Sequence, residues 1–180
     1  YTFTGWTVVS GSGVTIATTS ALSTTATLTS GDAAVRANFT LNTYQLTVTS
    51  TTGGTITAPA SSPVTVNYGA ATTITAVATA GYTFTGWTVV TGSASIATPS
   101  ALSTTATLTS GDAAVRANFT LDTYQLTVTS TTGGTITAPA SPPVTVNHGA
   151  ATTITVVSTA GNTFTRWPML TGSASIATPS

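Results

Sequence analysis

The sequence predicts an all-β chain built of tandem small sandwich domains, each about eighty residues long. Three observations carry this. Residues 21–100 align with residues 101–180 without a gap and differ at ten of eighty positions, so the chain is an array of one unit. Apolar residues alternate with threonine in run after run, which is the period of a half-buried strand. No stretch of useful length has a helical period, and twenty-one of the eighty residues in 101–180 are the β-branched Thr.

One complete unit runs over residues 43–122. Residues 1–42 read as the C-terminal part of a preceding unit, and residues 123–180 as the N-terminal part of a following one. The chain thus opens and closes inside a repeat and reads as a segment of something longer. In order, Tyr44 to Thr49 alternates with Tyr44, Leu46 and Val48 inward. Thr51-Thr52-Gly53-Gly54 is a hairpin signal, because Gly-Gly tolerates the positive φ of tight turns, and Thr55-Ile56-Thr57 is its return strand. Two prolines break residues 58–63 into a loop. Val64 to Tyr68 and Thr72 to Ala78 are further strands, the second centred on Ile74. Tyr82 to Val90 is the most aromatic strand, and Gly86 within it signals a bulge or a close backbone approach. Residues 91–100 read as weakly structured and anchored by Ile96. Thr104 to Thr109 puts Ala106 and Leu108 inward. After the Ser110-Gly111-Asp112 turn, residues 113–121 put Val115, Ala117, Phe119 and Leu121 on one face and Arg116, Asn118 and Thr120 on the other. That makes six or seven strands per unit, which suits a small sandwich. The links at Leu41-Asn42 and Leu121-Asp122 have almost no spare length.

Charge is nearly absent: three Arg, three Asp, one His, no Lys and no Glu. Three scattered arginines cannot form the basic patch that a nucleic-acid partner requires. No apolar run approaches the ~20 residues that span a bilayer, so no membrane span is expected in this segment. There is no cysteine to form a disulfide or bind metal. Polarity comes from hydroxyls, which make a neutral surface.

These features resemble the divergent internalin-type B-repeats. The resemblance rests on Tyr44–Val48, the Gly-Gly-Thr-Ile of Gly53–Ile56, Tyr68–Ala76, the Ala-Gly-Tyr-x-Phe-x-Gly-Trp of Ala80–Trp87, and the Gly-Asp-Ala-x-Val-x-Ala-x-Phe of Gly111–Phe119. It covers the whole chain and weakens in the last copy, where Tyr82 and Gly86 become Asn162 and Arg166. It implies a β-grasp-like or related β fold, an extracellular or cell-surface location, and a spacer or adhesive stalk without catalysis.

Catalysis needs converging acids, bases or nucleophiles, and each unit offers one or two Asp, one Arg and hardly any His. The chain is therefore expected to be no enzyme, with no catalytic residue, no metal and no cofactor. Asp112 reads as a turn former, Arg116 as a solvated strand residue, and His148 as a tolerated replacement for Tyr68. A Thr–Gln ester through Gln45 or Gln125 is a conceivable cross-link. Trp6, Trp87 and Trp167 read as core beside a recurring Phe rather than as platforms for sugar rings. Phe84, Trp87 and Phe119 are the expected structural core, with Ile74, Leu108 and Val115. Asn38-Phe39-Thr40 and Asn118-Phe119-Thr120 match the N-glycosylation acceptor pattern, which makes Asn38 and Asn118 candidate glycosylation sites.

The expected function is structural: an extracellular repeat protein forming a stalk or filament at the cell surface by head-to-tail stacking of β domains. The alternative is an adhesive, carbohydrate-binding surface module. The expected partners are neighbouring copies of itself, with strand complementation between partial units, and glycans. With so few charges, stability should hardly respond to salt. Raising sodium chloride from about 10 mM to about 1 M shortens the Debye length from roughly 30 to 3 Å, yet the melting temperature should stay nearly constant. A large fall, followed by calorimetry, would reveal an ionic network that the composition hides.

Overall fold

The structure is a computed structural model that describes residues 1–172 and 174–176. The last part of the 123–180 unit expected from the sequence, residues 173 and 177–180, lies outside the described residues. The strands are β1 (Thr2–Ser10), β2 (Val14–Ile16), β3 (Ala26–Leu28), β4 (Ala34–Thr40), β5 (Thr43–Ser50), β6 (Gly54–Ala58), β7 (Val64–Asn67) and β8 (Ala71–Ala78). They continue with β9 (Tyr82–Thr91), β10 (Ala94–Ile96), β11 (Ser103–Leu108), β12 (Ala113–Leu121), β13 (Thr123–Leu126), β14 (Gly134–Ala138), β15 (Val144–Asn147) and β16 (Thr155–Ser158). Among the described residues there is no helix. The chain falls into two compact units, Tyr1–Thr120 and Leu121–Ser180.

The complete repeat is a sandwich of two four-stranded sheets, in orders β10-β11-β8-β6 and β7-β5-β12-β9. Each inner face follows from the alternation along its strands. Leu46 and Val48 of β5, Ile74 and Ala76 of β8, Trp87 of β9, Ala106 and Leu108 of β11, and Ala113, Val115, Ala117 and Phe119 of β12 form one buried cluster with Val66. Tyr44, Ile56, Tyr82, Phe84 and Ile96 pack against it partly buried. Leu121, assigned to the inward face from the alternation, is instead exposed at the end of β12.

Two sequence expectations need correction. β5 and β6 do not form a hairpin: β6 pairs with β8 in one sheet, while β5 pairs with β7 and β12 in the other. Gly53-Gly54 instead carries the chain from one sheet to the other. Both glycines are required there by close approach, since a Cβ at Gly53 would run into the Tyr82 ring and one at Gly54 into the Phe119 ring. The second correction is β10, a short strand in a stretch that reads as irregular. It brings the unit to eight strands and pairs Ile96 with Ala106.

The first and last copies show the same pieces without their counterparts. β2 and β3 pair as Val14↔Leu28, matching Ala94↔Leu108 of the complete repeat. β13 and β15 pair as Thr123↔Asn147, matching Thr43↔Asn67. β14 and β16 pair as Gly134↔Ser158, matching Gly54↔Ala78.

Trp87 is 4% exposed and lies against Phe84 edge-on, with ring centroids 6.1 Å apart. Trp87→Ala should cost ~3–5 kcal/mol, most of the stability of a small domain. Urea unfolding monitored by circular dichroism would check this, and an unchanged midpoint would remove the residue from the core.

Candidate functional site

The most distinctive local structure is the clamp around Phe84-Thr85-Gly86-Trp87. Gly86 has φ +134°, a conformation that residues with a Cβ rarely adopt. Gly5 repeats it at φ +139°, where β1 slips register against β4 between Phe3 and Gly5. The slip is the bulge that the sequence signals. It turns the next residue toward the loop before β11. The Trp87 backbone N–H donates to Pro99 O at 2.8 Å, and its indole Nε1 donates to Ala101 O at 3.0 Å. Trp6 makes the same pair of bonds, to Thr19 O at 2.8 Å and Ala21 O at 2.9 Å. The tryptophan thus ties the edge strand to the following loop, and its ring is spent on the core rather than offered to a ligand.

Asn118 completes the clamp from the neighbouring strand. Its Nδ2 donates to Gly86 O at 3.0 Å and to Thr88 Oγ1 at 3.1 Å, and its Oδ1 accepts from Arg116 Nε at 3.2 Å. Asn38 Nδ2 does the same toward Gly5 O at 3.0 Å and Thr7 Oγ1 at 3.1 Å. The two candidate glycosylation asparagines therefore have a structural role, in which the side-chain amide satisfies a carbonyl that the bulge takes out of register. The nitrogen that would carry a glycan is the one engaged in these bonds. Phe119, between Asn118 and Thr120, points inward and meets Phe84 with ring centroids 5.4 Å apart.

A second constellation joins the front of a repeat, β5–β8, to its back, β9–β12. β12 lies parallel to β5, with Ala113↔Leu46 and Val115↔Val48, and β11 lies antiparallel to β8, with Ser103↔Thr75 and Thr105↔Thr73. Polar groups flank both seams. Asp112 Oδ1 accepts from the Gln45 backbone N–H at 2.8 Å, and Thr51 Oγ1 accepts from Phe119 N–H at 2.9 Å. Thr51 N–H donates to Ala117 O at 2.9 Å, and the Thr75 and Ser103 hydroxyls meet at 2.9 Å. Asp112 is thus more than a turn former: its carboxylate holds the start of a strand far away in sequence. Nothing local in the sequence signals that bond, since donor and acceptor are 67 residues apart.

The remaining candidates are placed as follows. Gln45 Nε2 donates to Thr65 Oγ1 at 2.9 Å and Gln125 Nε2 to Thr145 Oγ1 at 2.7 Å, both exposed and directly across a strand pair. An ester between such residues calls for a water-excluded place where proton transfer is catalysed, which an exposed pair does not offer. His148 faces Tyr124 with ring centroids 6.1 Å apart, as Tyr68 faces Tyr44 at 6.4 Å. The Tyr-to-His change therefore keeps an aromatic pair. Among the described residues, no three His, Cys, Asp or Glu are grouped to hold a metal ion, and no helix is long and apolar enough to cross a membrane.

Fold and seams together define a tandem all-β repeat protein whose complete repeat closes by joining a front and a back half. Comparison with protein families places it further: residues 44–123 and 124–180 match the divergent InlB B-repeat domain in two tandem copies, and the chain belongs to that family. No curated protein and no solved structure matches the chain.

The clamp depends on the φ of Gly86, where a Cβ would stand 3.4 Å from Pro99 O, an ordinary contact. Gly86→Ala should therefore cost ~1–3 kcal/mol through backbone strain alone. Equilibrium urea titration would measure it, and a neutral substitution would show that the bulge relaxes without loss.

Proposed function

We propose that this chain is a structural, non-catalytic part of an extracellular repeat protein, a stalk or filament at a cell surface made by head-to-tail stacking of β domains. The single observation that carries the reading is the array itself. Seventy of eighty positions recur between 21–100 and 101–180, and the recurring positions include the core and the seam bonds rather than an exposed constellation of acids and bases. A unit copied in tandem with its core and seam residues suits a protein whose output is length and rigidity. The family supports the location, since B-repeats of this type are associated with bacterial surface proteins. The hydroxyl-covered, nearly uncharged exterior suits a surface exposed to varying salt.

An adhesive reading has one observation in its favour. Tyr68 is 47% exposed, just past the edge strand β7, with its ring tilted against that of Tyr44, and the pair recurs as Tyr124 with His148. An exposed aromatic at a strand edge is suited to sugar rings. The buried Trp87 is not, so the platform on this reading is the Tyr44–Tyr68 pair.

Small-angle scattering on the chain should give a cross-section of one domain and a maximum dimension that grows with each repeat added. A globular profile independent of repeat number would overturn the stalk. Binding on a glycan array that disappears in Tyr68→Ala would favour the adhesive reading instead.

A further inference from the structure

Two residues join one copy of the repeat to the next. β4 ends at Thr40 and β5 begins at Thr43, so only Leu41 and Asn42 lie between them. Among the described residues, no strand of residues 1–42 pairs with a strand of residues 43–122, so a shared sheet does not set the angle between the copies. Every residue of a chain has two soft dihedrals, and even a link this short swings unless something holds it. Asn42 is held from both sides. Its side-chain Oδ1 accepts the Thr2 hydroxyl at 2.7 Å, and its backbone carbonyl accepts the Tyr68 N–H at 2.8 Å. Thr2 belongs to the preceding copy and Tyr68 to the following one.

Each of these partners is itself fixed. Thr2 lies opposite Thr40 in the β1–β4 ladder, in the sheet that delivers the chain to the link. Tyr68 follows directly on β7, whose last residue pairs as Asn67↔Thr43. The bond to Asn42 extends that ladder by one step. The next residue, Gly69, donates its N–H to Leu108 O at 2.8 Å, which ties the same corner to the second sheet. Asn42 therefore grips a point that is anchored to both sheets of the following copy.

We propose that Asn42 is a positioning residue that locks the joint between successive copies and sets the angle at which one follows the other. The proposal rests on the stalk reading and assigns its stiffness to a named residue. Asparagine suits the position because it offers one acceptor on its side chain and another on its backbone, and here the two serve different copies. The dihedrals between those oxygens have one combination that keeps both bonds. The next link repeats the arrangement. Asp122 stands between β12 and β13, and its backbone carbonyl accepts the His148 N–H at 2.8 Å. The change from Tyr68 to His148 leaves this bond alone, because the donor is backbone. An Asp also keeps an acceptor oxygen where Asn42 has Oδ1. The same rotation made at every link gives an array of regular twist, whereas free links give a string of beads.

The full chain tests this. It has no cysteine, so the double variant T27C/S95C carries one spin label on each side of the joint, at exposed positions on β3 and β10. Pulsed electron paramagnetic resonance should give a single narrow distance distribution. Asn42→Ala should replace it with a broad one, and so should Thr2→Val, which removes one exposed hydroxyl and its bond. Asn42→Asp should keep the narrow peak. Thr2→Val should leave the melting temperature of the complete repeat unchanged, because Thr2 lies outside residues 43–122.

A parent distribution that is already broad overturns the proposal. So does a narrow peak that survives Thr2→Val, whatever Asn42→Ala does to stability. The stalk reading fails separately, on the scattering profile. A maximum dimension that grows with repeat number beside a broad distribution keeps the stalk and removes the lock. A narrow distribution with a maximum dimension that does not grow keeps the lock and removes the stalk.

Discussion

The parallel pairing of β12 with β5 is the constraint on which the repeat depends. It joins the last strand of the unit to the first, so that residues 113–117 come to lie beside residues 46–50. A parallel neighbour cannot be reached by a tight turn. The intervening chain must leave the sheet, and it does so by crossing at Gly53-Gly54 into the second sheet. That crossing explains the close approach of the Tyr82 and Phe119 rings to the two glycines. It also explains why Ala113, Ala117 and Ala106 are small: they sit where two sheets and the aromatic cluster converge, with Val115 and Leu108 filling the space between.

Hydroxyls do in this chain much of what charges do elsewhere. Thr51 accepts the Phe119 N–H, Thr88 accepts the Asn118 amide, Thr75 and Ser103 bond to each other, and Ser62 accepts the Val48 N–H at 2.7 Å. Among the described residues, no buried side-chain polar atom lacks a partner. A hydroxyl both donates and accepts, and it is small enough to sit beside a strand without being solvated like an ion. The abundance of Thr is thus more than a strand preference, since its second atom on Cβ pins bulges and seams from within the sheet surface.

The sequence made the strands legible and the partners less so. Alternation located β5, β8, β9, β11 and β12, because one face of each is apolar and the other is mostly polar, with Thr the commonest residue there. The inward set of β12 followed from the same rule, except for Leu121 at its exposed end. Gly86 was legible as a bulge because glycine inside an aromatic strand has few other reasons to be there. Gly53-Gly54 misled, because positive φ and close packing leave the same residues in the sequence, and only the partner strand tells a hairpin from a crossing. β10 was missed because a three-residue strand is too short to show a period. The Asp112–Gln45 bond and the Asn118 clamp could not be read at all. Each depends on which strands become neighbours, and periodicity carries no information about that.

Near-identity between copies raises a problem of register that the fold must answer. Leu46, Val48 and Ile74 recur as Leu126, Val128 and Ile154, while Val35 and Phe39 recur as Val115 and Phe119. Any front half thus fits any back half, and mispairing between repeats is the failure expected of such arrays. Contact chemistry cannot favour the correct partner, so chain connectivity must. Within one repeat, β8 and β9 are joined by only Thr79-Ala80-Gly81, held by Thr79 N–H to Gly53 O at 2.8 Å and Tyr82 N–H to Thr79 O at 3.0 Å. A link that short holds its own halves at an effective concentration on the order of millimolar, above what a separate copy supplies in dilute solution. The last copy weakens this guard. Asn162 replaces the Tyr82 ring over the turn, Arg166 stands where the clamp needs a positive φ, and Pro168 removes the hydroxyl that Asn118 uses at Thr88. Those changes cluster in the aromatic strand and leave Gln125, Thr129 and Thr131 of the front half untouched.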